Sequence, residues 1–174
     1  MASTPKYKSV PVYWNSRDNT VLNPDAIAAY RNQKVTAIPR HIWKFDSQHE
    51  FKVYLQLVRM YGTKRIKRQY KLHVVKPGIC YPNGKTWKAD FIIKDLYHPN
   101  GIYRVVEAKG LFLPEFANTL VQLETNLPLL FKKTIIVFSQ SIPLEKRVVK
   151  ALWNSKLCDN LITLPQLKKL EVLP

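Results

Sequence analysis

The sequence predicts an α/β fold on three observations. Apolar residues recur at helical spacing between Phe51 and Tyr61. Three later segments alternate in the manner of strands and are separated by turn residues. A helical segment then leads into the apolar run of "KKTIIVFSQ", which reads as a buried strand.

In chain order, residues 1–45 are punctuated by Pro5, Pro11, Pro24 and Pro39, with "NPDAIAAYRNQ" the one helix-like piece, capped by Asn23 or Asp25. They read as an arm or small N-terminal subregion. "FDSQHEFKVYLQLVRMYG" carries the stripe Phe51, Tyr54, Leu55, Leu57, Val58 and Tyr61 and predicts a helix, with Ser47 as N-cap and Gly62 as stop. "RIKRQYKLHVV" predicts a strand, and "KPGICYPNGK" a turn with an Asn-Gly signal. "TWKADFIIKDL" and "IYRVVEAKGLF" predict two more strands, joined by "YHPNG". "LPEFANTLVQLETNL" predicts a helix with Pro114 in its first turn, "PLEKRVVKALWNSK" a further helix and "LPQLKKLEVLP" a short last one.

A chain of 174 residues with 46% hydrophobic content suits one folded domain with a real core. No apolar run approaches the roughly 18 residues of a membrane span, and "MASTPKYKSV" lacks the apolar core of a signal peptide. The expected location is therefore intracellular. Cys80 and Cys158 have no metal-ligand spacing and are most simply free thiols.

Charge narrows the partner. Lys and Arg number 28 against 12 Asp and Glu, a net charge of +16, which favours a polyanion. The excess is concentrated: Phe51 to Ala89 holds ten basic residues and no acid, and "TKRIKRQYK" holds five in nine positions. Interleaved Tyr54, Tyr61, Tyr70, Tyr81 and Trp87 suit contact with phosphates and stacking on bases. Lys64, Arg65, Lys67, Arg68 and Lys71 are the candidate phosphate contacts, against the plainer reading of a solvated basic turn.

Within this basic chain three acids stand where a carboxylate needs a reason. Glu50 lies in the first turn of the first long helix, Asp90 interrupts the second strand, and Glu107 sits in the third strand with Lys109 on the same face. A short turn between antiparallel strands would bring Asp90 beside Glu107. Convergent carboxylates repel, and a divalent cation relieves the repulsion. Mg²⁺ prefers such oxygens and can acidify water and polarise a phosphodiester, while an ammonium steadies the developing charge. Each residue also has a plainer job. Glu50 completes the Ser-x-x-Glu capping box of "SQHE", the commoner use of such a residue. Asp90 could shape a turn or pair with Lys88 or Lys71. Glu107 and Lys109 could be a structural ion pair, and Gln69 an ordinary strand glutamine. His49 and His73 read as surface or satisfied histidines.

The order of these pieces resembles the PD-(D/E)XK nuclease superfamily. "SQHEFKVYLQL" looks like its first helix, "KADFII" like its Pro-Asp strand with Ala89 in place of Pro, and "VVEAKG" like its (D/E)-x-Lys strand. The likeness covers about residues 45–140. It implies a restriction-endonuclease-like core, a mixed central sheet flanked by helices, with 46–174 as the nuclease domain. It further implies a Mg²⁺-dependent DNA endonuclease in which Mn²⁺ substitutes. Asp90 and Glu107 would be principal metal ligands, with the Ala108 carbonyl a third. Glu50 would serve a second metal or its water, Lys109 the attacking water and transition state, and Gln69 a supporting contact. A core of this size usually cuts one strand per site, so a homodimer or a partner nuclease or transposase subunit is implied.

Within the superfamily, "RQYKL" before "ADFII" is similar to the end-cleaving subunit of Tn7-like transposons. "EAKGLF" followed by a helix and "IIVFS" is similar to phage junction-resolving endonucleases, and some intron homing endonucleases share the core. These imply DNA recombination by a mobile element or phage, in the cytoplasm of a prokaryotic or phage-infected cell. A non-enzymatic rival is a basic nucleic-acid-binding module using residues 51–89; it leaves the acids without a purpose.

Overall fold

The computed structural model describes residues 10–23, 27, 39–98, 101–110, 114–139 and 160–173. They form an α/β structure with a three-stranded antiparallel sheet, a mixed five-stranded sheet and helices. The chain divides into two compact units, Met1–Lys52 and Val53–Pro174, with the division inside the first long helix. The helices expected over most of 23–33 and over 143–156, and Cys158, lie outside the described residues.

The first unit holds strands that the sequence reading did not anticipate: β1 (Val12–Asn15), β2 (Thr20–Leu22) and β3 (Ile42–Phe45), in the order β2-β1-β3. The β1–β2 turn is built by short polar side chains: the Asp18 carboxylate accepts from Thr20 N at 3.0 Å, and Asn15 Oδ1 from Arg17 N at 3.0 Å. Tyr13, Ile27 and Ile42 are buried together with Leu22 against them. Trp14 meets Trp43 edge-on at 5.4 Å, and Phe45 meets Phe51 at 5.0 Å.

Helix α1 (Gln48–Tyr61) starts and stops where its caps require. Ser47 Oγ accepts from Glu50 N at 3.0 Å. Gly62 N donates to Val58 O at 2.8 Å with φ +72°, a conformation glycine adopts without strain. A short 3₁₀ turn (Thr63–Arg65) leads into the second unit's sheet.

That sheet runs β4 (Ile66–Val75), β5 (Lys85–Lys94), β6 (Ile102–Lys109), β7 (Thr134–Phe138), β8 (Leu161–Thr163), adjacent in that order. The first three form an antiparallel meander; β7 and β8 join in parallel. Gly84 closes the β4–β5 turn at φ +67°, where a Cβ would stand 2.5 Å from Val75 O. Between β6 and β7 the chain passes through α2 (Pro114–Asn126) and α3 (Pro128–Lys132), the crossover that a parallel pair needs. Helix α4 (Leu164–Lys169) follows β8, capped by Thr163 and Gln166 in a capping box. Neither α3 nor β8 was expected from the sequence. Every residue of β7 is buried, as its apolar run requires for a strand covered on both faces.

One face of this sheet carries Leu72, Val74, Trp87, Ala89, Ile92, Val105, Ile136 and Phe138, packed with Phe116, Leu120 and Leu123 of α2. On the other face Tyr54 of α1 stacks on Phe91 with 6.0 Å between ring centres. No helix among the described residues is long and apolar enough to cross a membrane.

Candidate functional site

Regular alternation would put Trp87, Ala89 and Phe91 on one face of β5. Instead Trp87 and Ala89 share a core with Ile92, and Phe91 faces Tyr54. β4 reverses at the same rung: Tyr70, Leu72 and Val74 belong to the α2 face, whereas the Arg68 guanidinium lies 6.0 Å from the Tyr54 ring. The pairs Arg68↔Phe91 and Tyr70↔Ala89 bracket the reversal, so it falls at Gln69 and Asp90. Gln69 has φ +50°, which turns the chain enough for side chains on either side of it to change face.

The neighbouring ladder ends at the same level. Pairing of β5 with β6 stops at Phe91↔Val106, although the β4–β5 pair continues to Lys85. Beyond the last rung, carboxylates take over the bonding. Asp90 N donates to Glu107 Oε2 at 3.1 Å, and Ala108 N donates to Asp90 Oδ2 at 2.9 Å. The two acids thus face one another across a fork between strands, each accepting a backbone N–H from the opposite strand. Gln69 Nε2 approaches Asp90 Oδ1 at 3.4 Å from the far side.

Lys109 completes the group. Its ammonium lies 2.5 Å from Glu107 Oε1 and 4.3 Å from the centre of the Phe116 ring. Glu107 is 3% exposed, and the Lys109 side chain 24%, so the pair is partly shielded with the lysine as the wetter partner. The aromatic face attracts the cation and limits where it can swing. Phe116 is a contributor that the sequence reading missed. Its place two residues into a helix that follows "EAKG" was the available signal. The same i, i+2 logic did place Glu107 and Lys109 together.

Asp90, Glu107, Ala108, Lys109 and Gln69 are therefore brought together. The Ala108 atom that touches Asp90 is its amide nitrogen. Glu50 belongs to the first unit, where it is 4% exposed and its Oε2 accepts from Asp46 N at 2.7 Å. With Ser47 accepting from Glu50 N, this is a capping box displaced by one residue at its return bond. Among the described residues, no group of three or more His, Cys, Asp or Glu is gathered closely enough to hold a metal ion. Two carboxylates remain at the fork. Mg²⁺ is commonly held by one or two carboxylates with water and substrate phosphate making up the octahedron, so the donor set fits a hydrated ion of that kind.

The basic run is dispersed by the fold. Arg65 Nε and Nη2 both donate to Lys94 O, at 3.2 and 3.0 Å, and its guanidinium lies over Tyr61 and Tyr103. Lys67 leans on the Tyr70 ring at 5.7 Å. Lys64 and Lys71 are exposed, and Arg68 lies beside Tyr54. Cys80 is exposed and free. Comparison with known proteins brings no further assignment: no family model, curated protein or solved structure matches this chain.

Proposed function

We propose that this protein is a Mg²⁺-dependent DNA endonuclease with a restriction-endonuclease-like core, working at the fork of Asp90, Glu107 and Lys109. The observation that carries the reading is the mutual arrangement of Asp90 and Glu107 where the β5–β6 ladder parts, with Lys109 two residues beyond Glu107 on the same face. Element order supports it too: a helix, an antiparallel three-strand meander, a crossover helix and a parallel strand follow one another from Gln48 to Phe138.

Asp90 and Glu107 would hold the ion, which when bound supplies a more acidic water and a polarised phosphodiester. The chain's own residues supply the rest. Lys109, held against Phe116, donates hydrogen bonds to the attacking water and to the non-bridging oxygen on which charge builds. Water adds to phosphorus and releases a proton to solvent, the bond to the 3′-oxygen breaks, and that oxygen takes a proton from solvent, leaving a 3′-hydroxyl and a 5′-phosphate. The Ala108 amide and Gln69 fix the Asp90 carboxylate from two sides, which limits its reorientation when substrate enters. Glu50, at the start of α1, would serve a second metal or its water, as the resemblance implies, in addition to its bond to Asp46 N.

Among the three related activities we favour end cleavage within a Tn7-like transposase: Gln69, which lies in the "RQYKL" segment of that likeness, touches Asp90. Supercoiled plasmid incubated with Mg²⁺ tests the proposal. Wild type should nick it, and Asp90→Ala should not. Equal nicking by both, or no cleavage of any duplex or branched DNA with or without transposase partners, would overturn the assignment.

A further inference from the structure

The outer face of the β4–β5 hairpin has a charge arrangement that folding alone disfavours. Beyond the reversal at Gln69 and Asp90, the inward residues Tyr70, Leu72, Val74, Trp87 and Ala89 pack toward α2. The alternate residues Lys71, His73, Thr86 and Lys88 are all exposed. Lys71 stands directly opposite Lys88 in the ladder, and His73 opposite Thr86. Like charges facing one another across a strand pair destabilise it. Among the described residues, neither lysine has a carboxylate within ion-pairing distance. Lys76 and Lys85 continue the positive charge toward the turn, and no acid occurs in sequence between Phe51 and Ala89.

We infer that this face is a docking surface for the phosphate backbone of duplex nucleic acid, with Lys71 and Lys88 as its centre. Two ammonium groups on facing residues of neighbouring strands are set about 5 Å apart at their Cβ atoms, a spacing that long side chains adjust easily to successive phosphates. Lys88 precedes Asp90 by two residues, about 7 Å along a strand, with the reversal of face between them. Two facing lysines with no Phe, Tyr or Trp among the four outward residues suit a duplex backbone better than stacked single-stranded bases. The inference rests on the proposed function for the purpose of the surface, but binding is read separately from cleavage.

The experiment measures anisotropy of a labelled 30-base-pair duplex with the full chain in EDTA, over a range of salt. Lys71→Glu/Lys88→Glu should weaken binding at least tenfold and flatten the log–log salt slope by about 2, near 0.9 for each phosphate no longer neutralised. Lys168→Glu/Lys169→Glu, which makes the same charge change on exposed residues of α4, should move affinity less than threefold. The single variant Lys88→Glu sets a carboxylate opposite Lys71, so it should raise the unfolding midpoint while lowering affinity. Equal losses in the two double variants would reduce the effect to net charge and overturn the inference. So would unchanged duplex binding, or binding confined to anionic lipid vesicles. Loss of binding in Lys71→Glu/Lys88→Glu by a wild type that cuts nothing would keep this surface and remove the nuclease. Cleavage abolished by Asp90→Ala with binding indifferent to both lysines would do the reverse.

Discussion

Replacing Glu107 by Gln tests the energetics of the fork without reference to catalysis. The carboxylate holds the Lys109 ammonium at 2.5 Å through Oε1 and accepts from Asp90 N at 3.1 Å through Oε2. An amide keeps one oxygen and turns a donor toward whichever of these donors it does not serve. Breaking one side of a buried ion pair costs about 3–5 kcal/mol. Because Lys109 is 24% exposed and regains water, the lower end applies, about 3 kcal/mol. Lys109→Met leaves the more deeply buried carboxylate behind and should cost about 4 kcal/mol. The double variant removes both charges, and should cost about 4 kcal/mol, giving a coupling of about 3 kcal/mol. Urea unfolding of the four proteins, monitored by tryptophan fluorescence, closes the cycle. Single costs below about 0.5 kcal/mol, or strict additivity, would show that the pair is loosely solvated and would refute the geometry on which the site is built.

Other variants separate structural from chemical roles. Gln69→Gly removes the cost of a side chain at φ +50°, about 1 kcal/mol. It should leave stability equal or higher while lowering plasmid nicking, because Asp90 then loses its contact with Gln69. Arg65→Ala should cost about 1–2 kcal/mol through its two bonds to Lys94 O, seen by thermal unfolding, with the salt slope of duplex binding unchanged. Glu50→Ala should cost about 1 kcal/mol for the missing cap, seen by thermal unfolding. Burial pushes the Tyr54 phenol upward, and the Arg68 charge opposes it in part. The unfolded phenol ionises first as pH rises, so this contribution is full below about pH 10 and declines above it. Tyr54→Phe should therefore lose less stability than wild type between about pH 9.5 and 11 by urea titration.

Much of the fork was legible because it depends on short-range rules. Alternation in a strand placed Glu107 and Lys109 on one face, a short turn placed β5 beside β6, and "SQHE" announced both a helix start and an ordinary use for Glu50. The reversal of face at Gln69 and Asp90 was not legible, since glutamine has no preference for positive φ and tertiary packing imposes it. Counting basic residues along "TKRIKRQYK" treated as one patch what the fold divides among a half-buried carbonyl, two sheet faces and a turn. β1, β2, β3 and β8, of three or four residues each, are too short to show a period, and the first three sit among prolines.

The central claim is that Asp90 and Glu107 together form a divalent-cation site. Titration of Mn²⁺ into the full chain, with free ion read by electron paramagnetic resonance, tests it most directly. Wild type should bind saturably, more tightly with a duplex present, and both Asp90→Asn and Glu107→Gln should abolish that binding. Saturable binding that survives both substitutions, or none in the presence of duplex, would contradict it.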